Sequence, residues 1–166
     1  MNRSFTLPSL SFLLLLLLGG SSLIASADPG RAVIGQVRCT ALYATNVPEE
    51  DGQITALSTS FKDAVQQKNI AYDLYYQLGQ ETGDLYRSYI NWLKPIQGSD
   101  RFMLSYEPQG ALNQKDGGLH IQVSFWQNKQ KAFSTKTLKI SPDSPIVIVG
   151  PNWRNGKIIF ILELSQ

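Results

Sequence analysis

No internal disulfide can form in this sequence, because Cys39 is its single cysteine, and an intermolecular thiol is the alternative to a buried one. The fold must be held by burial of apolar surface, which a domain of roughly 140 residues can supply and one of roughly 50 generally cannot. Cys39 lies in the strand-like run QVRCTALYA, where a buried and inert thiol is expected. Histidine is as scarce: His120 stands alone, without the second histidine or cysteine from which a zinc site is usually built. The chain also lacks a Gly-x-Ser-x-Gly elbow, a His-Glu-x-x-His pair, a phosphate-cradling loop ending in Gly-Lys-Ser/Thr and a dinucleotide fingerprint. No catalytic motif and no cofactor is implied, and the glycines of GQETGD read as a turn. Charge of one sign is missing too: 15 basic against 13 acidic side chains give no case for nucleic acid or an anionic membrane.

Long apolar runs are absent in a telling way. The leucine-dominated stretch from Leu10 to Leu18 ends at Gly19, Gly20, Ser21 and Ser22, short of the roughly 18 to 20 residues a spanning helix needs. With Arg3 before it and Ala25 and Ala27 after it, the stretch is the pattern of a secretory signal peptide, residues 1–27. An uncleaved anchor is the alternative. Residues 28–166 then form a single exported domain with no membrane span after cleavage. Cys39 lies well beyond the processing site, which speaks against a lipid anchor. Outside the leader there is no Asn-x-Ser/Thr acceptor, the one match being Asn2-Arg3-Ser4. Together with the missing disulfides, this points to a bacterium, with the protein in the periplasm, at the cell surface or outside the cell.

What is present is mostly strand. AVIGQVRCTALYATNV, with Val37, Cys39, Leu42 and Tyr43, is expected to be the first. Glu49, Glu50 and Asp51 precede ITALSTSFKDAVQQKN, in which Ile54, Leu57, Phe61 and Val65 recur at helical spacing and Asn69 supplies a stop. The period then changes to two, with Tyr72, Leu74, Tyr76 and Leu78 alternating until Gly79 and Gly83 bracket a turn. DLYRSYINWLKPI is open: Asp84, Leu85, Tyr89 and Trp92 suit a helix, while the aromatic and β-branched content suits a strand. In RFMLSYEP, Phe102, Leu104 and Tyr106 share one face. GLHIQVSFWQ alternates most cleanly, with Leu119, Ile121, Val123 and Phe125 on one side and His120, Gln122, Ser124 and Trp126 on the other. After an NKQ turn and a strand in KAFSTKTLKI come IVIV and KIIFILEL, apolar on both faces and expected at a sheet centre or between sheet and helix. The fold class is α+β: a mostly antiparallel sheet or sandwich of about seven or eight strands, with one amphipathic helix packed on it.

Three surfaces are candidates for function. VGPNWRNGKI reads as a hairpin turn in which Asn155-Gly156 offers left-handed backbone, but the turn does not explain Trp153 and Arg154, which are the candidate protein-contact residues. Tyr72, Tyr76, Tyr86, Trp92 and Trp126, with Tyr75 and Tyr89, could form a stacking face for a glycan, since a ring offers flat apolar area with a polar edge; the plainer expectation is cross-strand packing. Lys129, Lys131, Lys136 and Lys139 crowd one hairpin, where lysine protects a sheet edge. Glycoside hydrolysis needs only two carboxylates, and Asp73, Glu81, Asp84 and Glu107 lie around the tyrosine-rich middle, but any exported chain offers such a choice.

The layout of signal, amphipathic helix and strands ending in PIVIVGPNWRNGKIIFILEL resembles the small exported β-rich accessory proteins of bacterial pilus and secretion machinery. The resemblance rests on residues 145 to 164 and carries over no functional residue. It implies a non-catalytic structural or protein-interaction role in the cell envelope, with a protein as partner. A carbohydrate-binding module is the alternative, and a hydrolase comes third.

Overall fold

Period-two patterning resolves into nine strands in a computed structural model that describes residues 28–50, 55–110 and 118–165. The signal read over residues 1–27, like Asp51 and Ile54 of the expected helix, lies outside the described residues. In chain order the elements are β1 (Val33–Thr45), α1 (Thr59–Gln66), β2 (Leu74–Tyr86), β3 (Asn91–Leu93), β4 (Phe102–Pro108), β5 (Leu119–Gln127), β6 (Gln130–Ser134), β7 (Leu138–Ile140), β8 (Ile146–Trp153) and β9 (Gly156–Ser165). They form two antiparallel sheets, one in the order β2-β1-β9-β8 and the other β3-β4-β5-β6, with β7 also paired to β5. The extra strand arises because KAFSTKTLKI is divided. Thr135 sits between β6 and β7, and its side chain takes over part of the ladder: Val123 N–H donates to Thr135 Oγ1 at 3.0 Å while Thr135 N–H donates to the Val123 carbonyl at 2.8 Å.

The first sheet buries both faces, which accounts for the doubly apolar runs. One buried cluster takes Val37, Cys39 and Ala41 from β1 and Ile158, Phe160 and Leu162 from β9, together with Leu104, Tyr106, Ile121, Val123 and Phe125 of the second sheet. A separate cluster joins Leu42, Ala44, Val147, Ile159 and Ile161 on the other face of the first sheet to Val65, Phe61 and Leu57 in and before the helix. β9 is an interior strand between β1 and β8. Cys39 is fully buried, and burial, with the charge of Glu81 adding to it, pushes its thiol well above the ordinary range.

The helix is shorter than its periodicity predicts. Ser58 is the N-cap, its hydroxyl accepting from Phe61 N–H at 3.3 Å, so α1 starts at Thr59 rather than beside the acidic residues. The chain before the cap is committed to the sheet: Thr55 N–H donates to the Tyr75 carbonyl at 2.7 Å, and Gln77 N–H to Thr55 Oγ1 at 3.0 Å. At the far end Asn69 takes left-handed backbone, φ 53°, as its stop role requires.

Gly79 and Gly83 do not bracket a turn. Both lie inside β2, where a Cβ on Gly79 would strike the Pro95 carbonyl oxygen and one on Gly83 would stand 2.9 Å from the Tyr106 hydroxyl and 3.0 Å from Leu93 Cδ2. The missing side chains let β3 and its exit lie close to β2, and the Lys94 N–H donates to the Glu81 carboxylate there. Residues 84–94 are accordingly strand, turn and strand, with β2 ending at Tyr86 and β3 beginning at Asn91. Among the described residues no helix is long and apolar enough to cross a membrane.

Candidate binding face

The second sheet turns Phe102, Leu104 and Tyr106 of β4 and Leu119, Ile121, Val123 and Phe125 of β5 toward the buried cluster, so period two sends Met103, Ser105, Glu107, Gln122, Ser124 and Trp126 to the other side. Register then sets neighbours across the strands. Trp92 pairs with Ser105, Ser105 with Ser124 and Ser124 with Ser134, while Trp126 pairs with Met103 and Lys131 in the next row. The Trp92 and Trp126 rings are 5.1 Å apart and tilted by 52°. Trp126 Nε1–H donates to Ser105 Oγ at 3.0 Å, and Lys131 Nζ lies 5.4 Å from the Trp126 ring centroid. Both contacts fix the indole from its edge and its face.

The turn before β3 extends this surface. Tyr89 is 41 % exposed, Ile90 58 % and Trp92 46 %, so three large apolar side chains in four residues face solvent. Their backbone is held from beneath by the buried Asn91, whose Nδ2 donates to the Tyr89 carbonyl at 2.9 Å. The chain entry holds it from the side: the Tyr89 hydroxyl donates to Asp28, Ser88 N–H donates to the Gly30 carbonyl at 3.2 Å, and Arg31 lies 6.0 Å from the Tyr89 ring centroid. The Asp28 carboxyl is lowered, first by the Tyr89 hydrogen bond and then by that from Gly30 N–H. A cleft of about 500 Å³ opens here, lined by Arg31, Asp84, Tyr86, Tyr89, Ile90 and Trp92. Its size falls in the ordinary range of ligand pockets. A smaller one of about 160 Å³ adjoins it across Trp92, lined by Ser105, Glu107, Gln122, Ser124, Trp126 and Lys131.

Of the seven aromatic residues singled out in the sequence, Tyr86, Tyr89, Trp92 and Trp126 are therefore brought to one surface and the other three are not. Tyr76 is buried against Tyr43, ring centroids 6.1 Å apart, and Tyr72 and Tyr75 pack with the helix cluster on the first sheet. Ile90, Asn91, Asp28 and the serine row are additions. The outward placement of Ser124 and Trp126 was readable from the alternation of β5, but Trp92, Ser105, Ser124 and Ser134 form a row only through strand register.

The other candidates lie elsewhere. Trp153 is partly buried and packs between the sheets' ends, 6.1 Å from the Tyr43 ring and 5.9 Å from the Phe102 ring. Arg154 stacks over Trp153 at 5.6 Å and pairs with Glu49 at 2.6 Å. The left-handed residue of this hairpin is Arg154, φ 50°, rather than Asn155-Gly156. Gly156 is required for a different reason: β9 passes so close to β1 that a Cβ would strike the Ala44 carbonyl oxygen. His120 is exposed on β5 opposite Lys139. Among the described residues no group of three or more His, Cys, Asp or Glu side chains is placed to hold a metal. Glu81 is engaged by Lys94 N–H, and Asp84 accepts from Gln36 Nε2 at 3.0 Å. No family model, no curated protein and no solved structure matches the chain.

Proposed function

We propose that this is a non-catalytic exported protein of a bacterial cell envelope that holds another envelope component on the outward face of its second sheet. The observation that carries the reading is the contiguous exposure of Tyr89, Ile90 and Trp92 beside Trp126, on a turn anchored by Asn91 and Asp28. Exposed apolar area of this kind costs solubility unless something covers it, and anchoring it in advance removes part of the ordering cost of binding. The leader pattern of residues 1–27 supports export, and the C-terminal resemblance supports a place in envelope assembly. A sandwich arrangement of the two sheets belongs to the same proposal: a single buried cluster takes side chains from both, leaving the other face of the second sheet for contact.

The test is to express the chain from its own signal, fractionate the envelope, and compare wild type with a Trp92→Ala/Ile90→Ser variant. The expected result is a processed chain starting at Asp28 that sediments with an envelope component, and a variant that is equally folded but released. Equal recovery of both as free monomer would remove the proposal.

A further inference from the structure

We infer that the ligand of this face is an uncharged saccharide chain, lying across the strands of the second sheet with a ring face on Trp92 and an edge along Trp126. The inference rests on the binding role proposed above for the same face.

The shape comes from register. Ser105, Ser124 and Ser134 make a row of small hydroxyl residues that begins at Trp92, with Trp126 and Lys131 on one flank and Glu107 and Gln122 on the other. Short side chains between taller ones leave a trough running across the strands. Its open floor is Ser124 and Ser134, whose Oγ atoms are 2.7 Å apart, while Ser105 is buried and its Oγ accepts from the Trp126 indole. Hydroxyls both donate and accept, so the floor suits a partner that does the same. Past Trp92 the trough continues into the larger cleft, and Ile90, Trp92 and Tyr106 line both clefts. Two adjoining clefts fit more than one ring of a chain.

The charge pattern narrows the ligand. The larger cleft contains Arg31 and Asp84, and the smaller one Lys131 and Glu107, so each has one charge of either sign and neither favours an ion. Strand addition cannot occur in the middle of this face, because the backbone groups of β4 and β5 are used by strands on both sides. What fits is a neutral molecule with an apolar face for the Trp92 indole and hydroxyls around its edge, which describes a pyranose ring.

The full chain would be titrated with neutral oligosaccharides of glucose, N-acetylglucosamine and xylose, following tryptophan fluorescence. At least one should give a saturable change, insensitive to added sodium chloride because no net charge is matched. Trp92→Ala should weaken binding by about tenfold or more, as loss of a central aromatic anchor does. Ser124→Tyr, which fills the trough from a solvent-facing position, should weaken it similarly and serves as the second variant, with Lys62→Ala on α1 as the unaffected control. Silence across the panel, or binding that added salt abolishes, would overturn the inference. In that event Trp92 accessibility in the native envelope separates the two claims: protection there leaves the face as a contact site for another class of partner, and full exposure removes the contact reading as well.

Discussion

The Tyr43 hydroxyl is buried without a hydrogen-bond partner among the described residues, its ring held between Tyr76 and Trp153. An unsatisfied buried hydroxyl costs about 1–3 kcal/mol, while the ring contributes packing that phenylalanine would keep. Tyr43→Phe is therefore expected to stabilise the protein by about 1 kcal/mol, read as a rise in the urea midpoint; a fall would mean the hydroxyl is bonded in solution. Asp28 offers a test of opposite character. Its carboxyl is lowered by Tyr89 and Gly30, so its contribution is complete above the ordinary carboxylate value of about 3.9 and is lost as pH falls through its lower value in the folded state. The stability difference between wild type and Asp28→Asn should hold from neutral pH down to about 4 and close below it. A difference that persists unchanged on the acid side would exclude the Tyr89 contact as its source.

Among the elements, legibility followed local physics. β5 could be read in full because its two faces meet different surroundings, one the core and one solvent, and the apolar residues mark which is which. α1 was legible in its apolar stripe but not in its start, since Thr55 is drawn into hydrogen bonds with Tyr75 and Gln77 that are distant in sequence. Ser58→Ala should cost about 1 kcal/mol by removing the cap and should raise amide exchange across α1 before the sheets respond; unchanged exchange would show that tertiary contacts alone fix the helix start. Gly79 and Gly83 suggest a turn in the sequence yet lie within β2, because a glycine that permits close approach and one that turns the chain look the same in sequence. Gly79→Ala is expected to cost about 2 kcal/mol or more, because its methyl meets the Pro95 carbonyl oxygen rather than a movable side chain. A loss within about 0.5 kcal/mol, the range of an ordinary surface substitution, would show that β3 is not held so close.

At the scale of the molecule, β1 and β9 contribute to buried clusters on both faces of the first sheet, whereas the second sheet leaves Trp92 exposed and Trp126 half-buried on one face, and that asymmetry places the candidate site. The aromatic residues singled out in the sequence fall in three environments, because strand order and register decide which rings meet. Trp153 and Arg154 were conspicuous for being next to each other in a turn, whereas Trp92 and Trp126 are far apart in sequence and adjacent in space. On this reading the face around Trp92 is covered in the cell. Oxidative footprinting of the tryptophans, read by mass spectrometry, compares the purified chain with the same chain in intact cells. Trp92 is expected to be oxidised readily in the purified protein and protected in cells, while the partly buried Trp153 reacts alike in both; equal oxidation of Trp92 in the two samples would show that nothing covers this face.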